Sequence, residues 1–132
     1  MPDDILIVDD FEDNRELLRL MLEGAGHRVR EAESGQAGLQ MALDEAPDLI
    51  LVDLSMPGLD GWGVLRGLRA DERTRHVPCA AVTAFDDGER ESALAQGFDA
   101  YLPKPYHRTE LLETVERLLA RSRQGGGMTN AG

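Results

Sequence analysis

The chain is poor in three things. It has one cysteine, Cys79, one lysine, Lys104, and no long apolar run. A lone cysteine excludes an internal disulfide framework and a cysteine-based zinc site, and it suits a reducing compartment. No apolar stretch approaches the roughly 20 residues that span a bilayer. The acidic opening "MPDD" lacks the apolar core of a secretion signal. A cytoplasmic protein with no membrane partner is therefore expected. Basic residues are also outnumbered, 14 Lys and Arg against 25 Asp and Glu, for a net charge of −11. A phosphate backbone would be repelled, so direct contact with nucleic acid is not expected. All the basic residues but one are arginine. The single ammonium at Lys104 points to a position where a compact, flexible charge serves and a planar guanidinium would not.

What is present is enough for one domain. The chain has 132 residues and is 42% hydrophobic, so it can bury a core without a disulfide or structural metal. Short aliphatic runs at Ile5–Val8 and Leu49–Val52 read as buried strands. His27–Glu31 is polar and reads as an edge strand, Cys79–Thr83 as a small-residue strand, and Asp99–Leu102 as a short last one. Between them lie helical patterns. The first runs from Asp13 to Glu23 with Leu17, Leu18, Met21 and Leu22 on one face, and Gly24 and Gly26 stop it. The second is capped by Ser34 and carries Leu39, Met41, Ala42 and Leu43. The third spans about Gly61 to Arg69 despite the poor propensity of Gly63 and Gly67. The fourth runs from about Asp87 to Gln96, and the last carries Leu111, Leu112, Val115, Leu118 and Leu119. Strand and helix alternate five times, which predicts an α/β domain over residues 1–121 with a central parallel sheet and helices on both faces. Residues 122–132, which end in "GGGMTNAG", are nearly devoid of apolar side chains and are expected to form a disordered Gly-rich tail.

In such sheets function sits at the carboxyl ends of the strands. The run "ILIVDDFEDN" ends its strand in Asp9 and Asp10, and "LILVDLSMPGLDGW" ends its strand in Asp53. If the two strands are neighbours, three carboxylates share one crevice. Two unit charges about 4 Å apart repel by about 4 kcal/mol at an effective dielectric of 20, so the cluster calls for a cation. Oxygen-only ligands suit Mg²⁺. The simpler alternative is that Asp10 or Asp13 merely caps the first helix. Thr83 and Lys104 end or follow two further strands, so a hydroxyl and an ammonium reach the same edge.

Together with "VPCAAVTAF" and "YLPKP", in this order and spacing, these motifs make the chain similar to the receiver domain of two-component response regulators, from Asp3 to about Arg121. The resemblance implies a flavodoxin-like (βα)5 fold with a five-stranded parallel sheet in the order 2-1-3-4-5. It implies that Asp53 accepts a phosphoryl group. It implies that Asp9, Asp10, Asp53 and the main-chain carbonyl of Ser55 hold Mg²⁺ or Mn²⁺. Thr83 resembles the switch hydroxyl, Lys104 the lysine that pairs with the phosphoryl group, and Tyr101 the aromatic that changes rotamer on activation. Pro105 resembles a proline that follows a cis peptide. Ser55 and Phe85 occupy the two variable positions that tune how water reaches the acyl phosphate. The implied partners are a sensor histidine kinase or histidine phosphotransfer protein as donor and a downstream protein target. The output surface is expected around Arg90, Leu94, Tyr101, His107 and Leu111, on the fourth helix, fifth strand and fifth helix. The short tail and the "RADERTRHVP" connector resemble the stand-alone, DivK-like type, with catalysis limited to the domain's own phosphorylation and dephosphorylation.

Three alternatives differ in kind. A receiver fragment of a hybrid kinase or multidomain regulator would continue beyond the tail. A pseudo-receiver that only binds partners would lack Asp10, Asp53 or Lys104. A haloacid-dehalogenase-type phosphatase would need a second aspartate where Ser55 stands.

Overall fold

Five parallel strands form one sheet in the order β2-β1-β3-β4-β5. They are β1 (Asp4–Val8), β2 (Arg28–Ala32), β3 (Leu49–Val52), β4 (Cys79–Thr83) and β5 (Ala100–Pro103). The connecting helices are α1 (Glu12–Gly24), α2 (Gly35–Asp44), α3 (Gly61–Ala70), α4 (Glu89–Gln96) and α5 (Arg108–Met128). The computed structural model describes residues 2–84 and 89–128, the side chains of 123–128 excepted. The expected flavodoxin-like order is the one observed.

The three inner strands β1, β3 and β4 are buried along their whole length, as near-continuous aliphatic runs require when helices cover both faces. Alternation along the strands then sorts the core into two layers. Ile5, Ile7, Leu49, Leu51 and Val82 pack with Leu18 and Leu22 of α1 and Leu111, Val115 and Leu118 of α5. Leu6, Val8, Ile50, Val52 and Ala81 pack with Ala42 of α2, Val64, Leu65 and Leu68 of α3, and Ala93 of α4. Each fully buried aliphatic side chain contributes about 1.5–3 kcal/mol. β2 is the polar edge, with Arg28 exposed and only Ala32 fully buried.

The glycines of α3, poor helix formers, sit where a side chain would collide. A Cβ on Gly61 would lie 2.5 Å from the carbonyl oxygen of Asp53 and 2.9 Å from Leu54 Cα. One on Gly67 would meet Leu39 of α2 at 2.5 Å. Asp60 starts the helix by accepting a hydrogen bond from the Gly63 N–H at 3.0 Å, and Ser34 caps α2 as expected, accepting from Ala37.

Several boundaries and faces differ from the sequence-based expectation. Leu17 is 48% exposed, because Leu18 and Leu22 centre the buried stripe of α1 and Leu17 lies 100° away from Leu18. β2 begins and ends one residue later than expected, as does β5. Helix α5 continues to Met128 rather than ending near Arg121. Positions 129–132 of the expected tail, and the start of α4 at Asp87, lie outside the described residues. No helix among the described residues is long and apolar enough to cross a membrane.

Candidate functional site

β1 and β3 pair in register, Val8 opposite Val52, so the residues that follow them emerge side by side. The Asp53 N–H donates to the Val8 carbonyl at 3.0 Å and fixes that juxtaposition. Asp9, Asp10 and Asp53 each offer a carboxylate oxygen, and these atoms all lie within 4.8 Å of one another. Asp9 and Asp53 are buried and Asp10 is exposed. The cluster is thus open to solvent on one side and closed on the other.

The three carboxylates are held very differently. Asp9 Oδ1 accepts from the Phe11 N–H at 2.9 Å and its Oδ2 from the Asn14 amide at 3.3 Å. Asp53 Oδ1 accepts from the Ser55 N–H at 2.8 Å. Asp10 has no hydrogen bond or ion pair among the described residues. The residue at the N-cap of α1 is Phe11, with no side-chain capping bond, so neither Asp10 nor Asp13 serves as the cap.

Lys104 reaches the cluster from the residue after β5. Its Nζ lies 3.4 Å from Asp9 Oδ2 and 3.5 Å from Asp53 Oδ2. Both distances are long for a hydrogen bond. One ammonium is therefore shared between two carboxylates rather than committed to either. The Lys104 N–H donates to the Thr83 carbonyl at 2.7 Å, which ties the fifth strand's end to the fourth's. The peptide between Lys104 and Pro105 is cis, as the resemblance implied. Thr83 is buried at the end of β4, at the same edge of the sheet.

Burial pushes the Asp53 carboxyl above its ordinary value. The Ser55 N–H and the Lys104 charge pull against that shift, and the charge of Asp9 adds to it. This set of groups fits a small, hard dication. Three carboxylate oxygens with no nitrogen or sulfur donor match the ligand preference of Mg²⁺ or Mn²⁺, and such an ion relieves the crowding of like charges. Ser55 is exposed.

The expected output surface divides. Leu94 is 44% exposed and His107 is exposed at the start of α5. Arg90 is exposed, with its guanidinium 5.3 Å from the centre of the Tyr101 ring, a cation–π distance. Tyr101 and Leu111 are buried. Leu111 belongs to the α5 stripe that covers the sheet, so it supports the surface from beneath and does not line it. Phe85 lies outside the described residues. The sequence reading passed over Asn14 and Arg15, whose side chains reach Asp9 through hydrogen bonds. Their only sequence signal is their place one turn after the acidic pair. It also passed over Phe11 and Leu20, which with Leu17 are exposed apolar side chains at and along α1.

A family profile for the response regulator receiver domain matches residues 5–116. The polar-differentiation response regulator DivK of Brucella anthropi is 36% identical over 120 residues, covering 90% of this chain and 98% of DivK. The response regulator PleD of Caulobacter vibrioides is 41% identical over 115 residues, which span 86% of this chain but 25% of PleD. Among solved structures, a response regulator of Chloroflexus aurantiacus superposes with a TM-score of 0.86 at 36% identity, covering 91% of this chain and 99% of that one. The receiver domain of a sensor histidine kinase from Pseudomonas aeruginosa gives 0.84 at 36% identity, with the same coverage, and that structure has a magnesium ion coordinated in its active-site cleft. With the profile spanning most of the sequence and the acidic crevice formed at the sheet's carboxyl edge, the chain belongs to the response regulator receiver domain family and is a phosphorylation-based signalling switch.

Proposed function

We propose that Asp53 is the phospho-acceptor and that its phosphorylation requires Mg²⁺ or Mn²⁺ held by Asp9, Asp10, Asp53 and the Ser55 carbonyl. The observation that carries this reading is the sharing of the single lysine between Asp9 and Asp53 at 3.4 and 3.5 Å. A lone ammonium so placed can follow charge as it moves from a carboxylate to a phosphoryl group. The Asp53 carboxylate attacks phosphorus in a phosphoramidate donor, the P–N bond breaks, and the leaving nitrogen takes up a proton. An acyl phosphate remains on Asp53. A bound dication supplies charge neutralisation on the transferring oxygens. Lys104 binds an oxygen of the acyl phosphate, and Thr83 donates its hydroxyl to another. Reversal of the switch is attack by water, which returns the carboxylate and releases phosphate. Ser55 and Phe85 set how readily that water arrives.

The donor is a sensor histidine kinase or a histidine phosphotransfer protein, and the chain catalyses only its own phosphorylation and dephosphorylation. The output is a protein target that reads the face formed by α4, β5 and α5, with Arg90, Leu94 and His107 outermost and Tyr101 as the moving element. The net charge of −11 argues against a direct nucleic-acid partner. The near full-length likeness to DivK favours a stand-alone regulator. The likeness to one quarter of PleD favours the second reading, a receiver within a larger protein.

The test is intact mass after incubation with phosphoramidate and Mg²⁺. One phosphoryl group is expected on the wild type and none on Asp53→Asn. A variant that labels as well as the wild type would remove Asp53 from this role.

A further inference from the structure

Arg15 is a buried-edge arginine that the phosphoryl chemistry does not use. Its side chain is only 12% exposed. One nitrogen, Nη1, donates to the main-chain carbonyl of Asp9 at 2.8 Å, and Nε donates to Glu31 Oε1 on β2 at 3.2 Å. Arg19, one turn further along α1, holds the other oxygen of the same Glu31 at 3.2 Å. A planar guanidinium therefore spans the gap between the end of β1 and its neighbour β2, and Arg19 keeps the far anchor in place. From the other side, the Asp9 N–H donates to the Ala32 carbonyl at 3.1 Å. Both main-chain polar groups of Asp9 are thus tied to β2, one directly and one through Arg15.

We infer that Arg15 is a positioning residue for the metal site. By fixing the Asp9 carbonyl against Glu31, it sets the orientation of the peptide between Asp9 and Asp10, and so the spacing of the two carboxylates that flank it. Asp10 has no partner of its own among the described residues, so its placement depends on the backbone that carries it. A lysine could supply the charge but not two directed bonds from one plane. Groups that orient ligands from behind in this way typically change metal affinity by about ten-fold or more when removed.

This inference rests on the proposed Mg²⁺ site, and the experiment separates the two. Mg²⁺ dissociation constants are measured by titration for wild type, Arg15→Met, Arg15→Lys and Arg19→Met, alongside melting temperatures in EDTA. Arg15→Met keeps much of the packing and removes the bonds. It is expected to bind Mg²⁺ about ten-fold more weakly, with Arg15→Lys only partly restored and Arg19→Met within about two-fold of wild type. Wild type that binds no Mg²⁺ overturns the proposed site itself. Wild type and Arg15→Met that bind equally overturn the role of Arg15, and a lowered melting temperature with unchanged affinity would make it a purely structural contact. Should Arg15→Met fail to fold, Arg15→Lys carries the test, and full affinity in it likewise overturns the proposal.

Discussion

Replacing Lys104 by methionine keeps a long, flexible side chain and removes the charge. The structure allows its cost to be worked out. The three carboxylate oxygens lie within 4.8 Å of one another, so each pair repels by at least about 3.5 kcal/mol at an effective dielectric of 20. The two contacts from Lys104, at 3.4 and 3.5 Å, attract by about 5 kcal/mol each on the same scale. Attraction thus offsets much of the self-repulsion, and the ammonium is the cluster's resident counter-charge. Without it the full imbalance is not felt, because Asp10 is exposed and the Asp53 carboxyl, already held above its usual value, takes up a proton more readily. Removing one partner of a buried pair costs about 3–5 kcal/mol. With Asp10 open to water, about 3 kcal/mol is expected, or about 12 °C in melting temperature for a domain of this size. The assay is thermal unfolding in EDTA at neutral pH. Repeating it with millimolar Mg²⁺ should raise the variant by more than it raises wild type, since the dication then replaces the missing charge. Towards about pH 4 the gap should narrow as the Asp53 carboxyl, held above its usual value by burial, protonates. A variant that melts within about 3 °C of wild type in EDTA, or that gains no more from Mg²⁺, would refute this account.

Other expected outcomes are equally direct. The Asp53 carboxyl has a raised value in the folded state, so its contribution to stability is full below the unfolded value and is lost as pH rises through the folded one. Asp53→Asn should therefore melt higher than wild type in EDTA at neutral pH, with the advantage shrinking towards about pH 4; a lower melting point at neutral pH would contradict that sign. Gly61→Ala places a methyl 2.5 Å from the Asp53 carbonyl oxygen, and backbone cannot yield as a side-chain tip can. It should cost about 3 kcal/mol in urea unfolding and also weaken phosphorylation, whereas a loss under about 0.5 kcal/mol would show that α3 can back away. On the proposed role of Phe85 in limiting water's access, Phe85→Glu and Phe85→Ala should lose the acyl phosphate faster than wild type in a decay time course. Equal or longer lifetimes in both would reassign the ring to a partner surface.

The fold was legible because its inner strands are buried on both faces and so carry unbroken aliphatic runs, as at Leu49–Val52. The site was legible because its carboxylates directly follow those strands, which makes their meeting a matter of register alone. Edge and surface features were less so. Leu17 and Leu18 are equally apolar, and only the helix's rotation against the sheet leaves one exposed and the other in the core. Leu111 has the composition of either a core or a docking residue, and packing decides between them. Arg15 reads as one more charged helix residue until β2 is folded beside it and Glu31 comes within reach.

The glycine at the start of α3 has a mechanical consequence. Gly61 lets the helix rest directly on the backbone of Asp53 and Leu54, with no compressible side-chain layer between them. α3 in turn rests on α2 through Gly67 and Leu39. On that side of the sheet the backbone around Asp53 is closely backed, and a shift of Asp53 towards α3 would press on two helices. α4 is the compliant neighbour, anchored by Ala93 as its one buried residue among those described. Of the two helices, α3 is held by backbone contact with the Asp53 segment and α4 by a single buried side chain among the described residues.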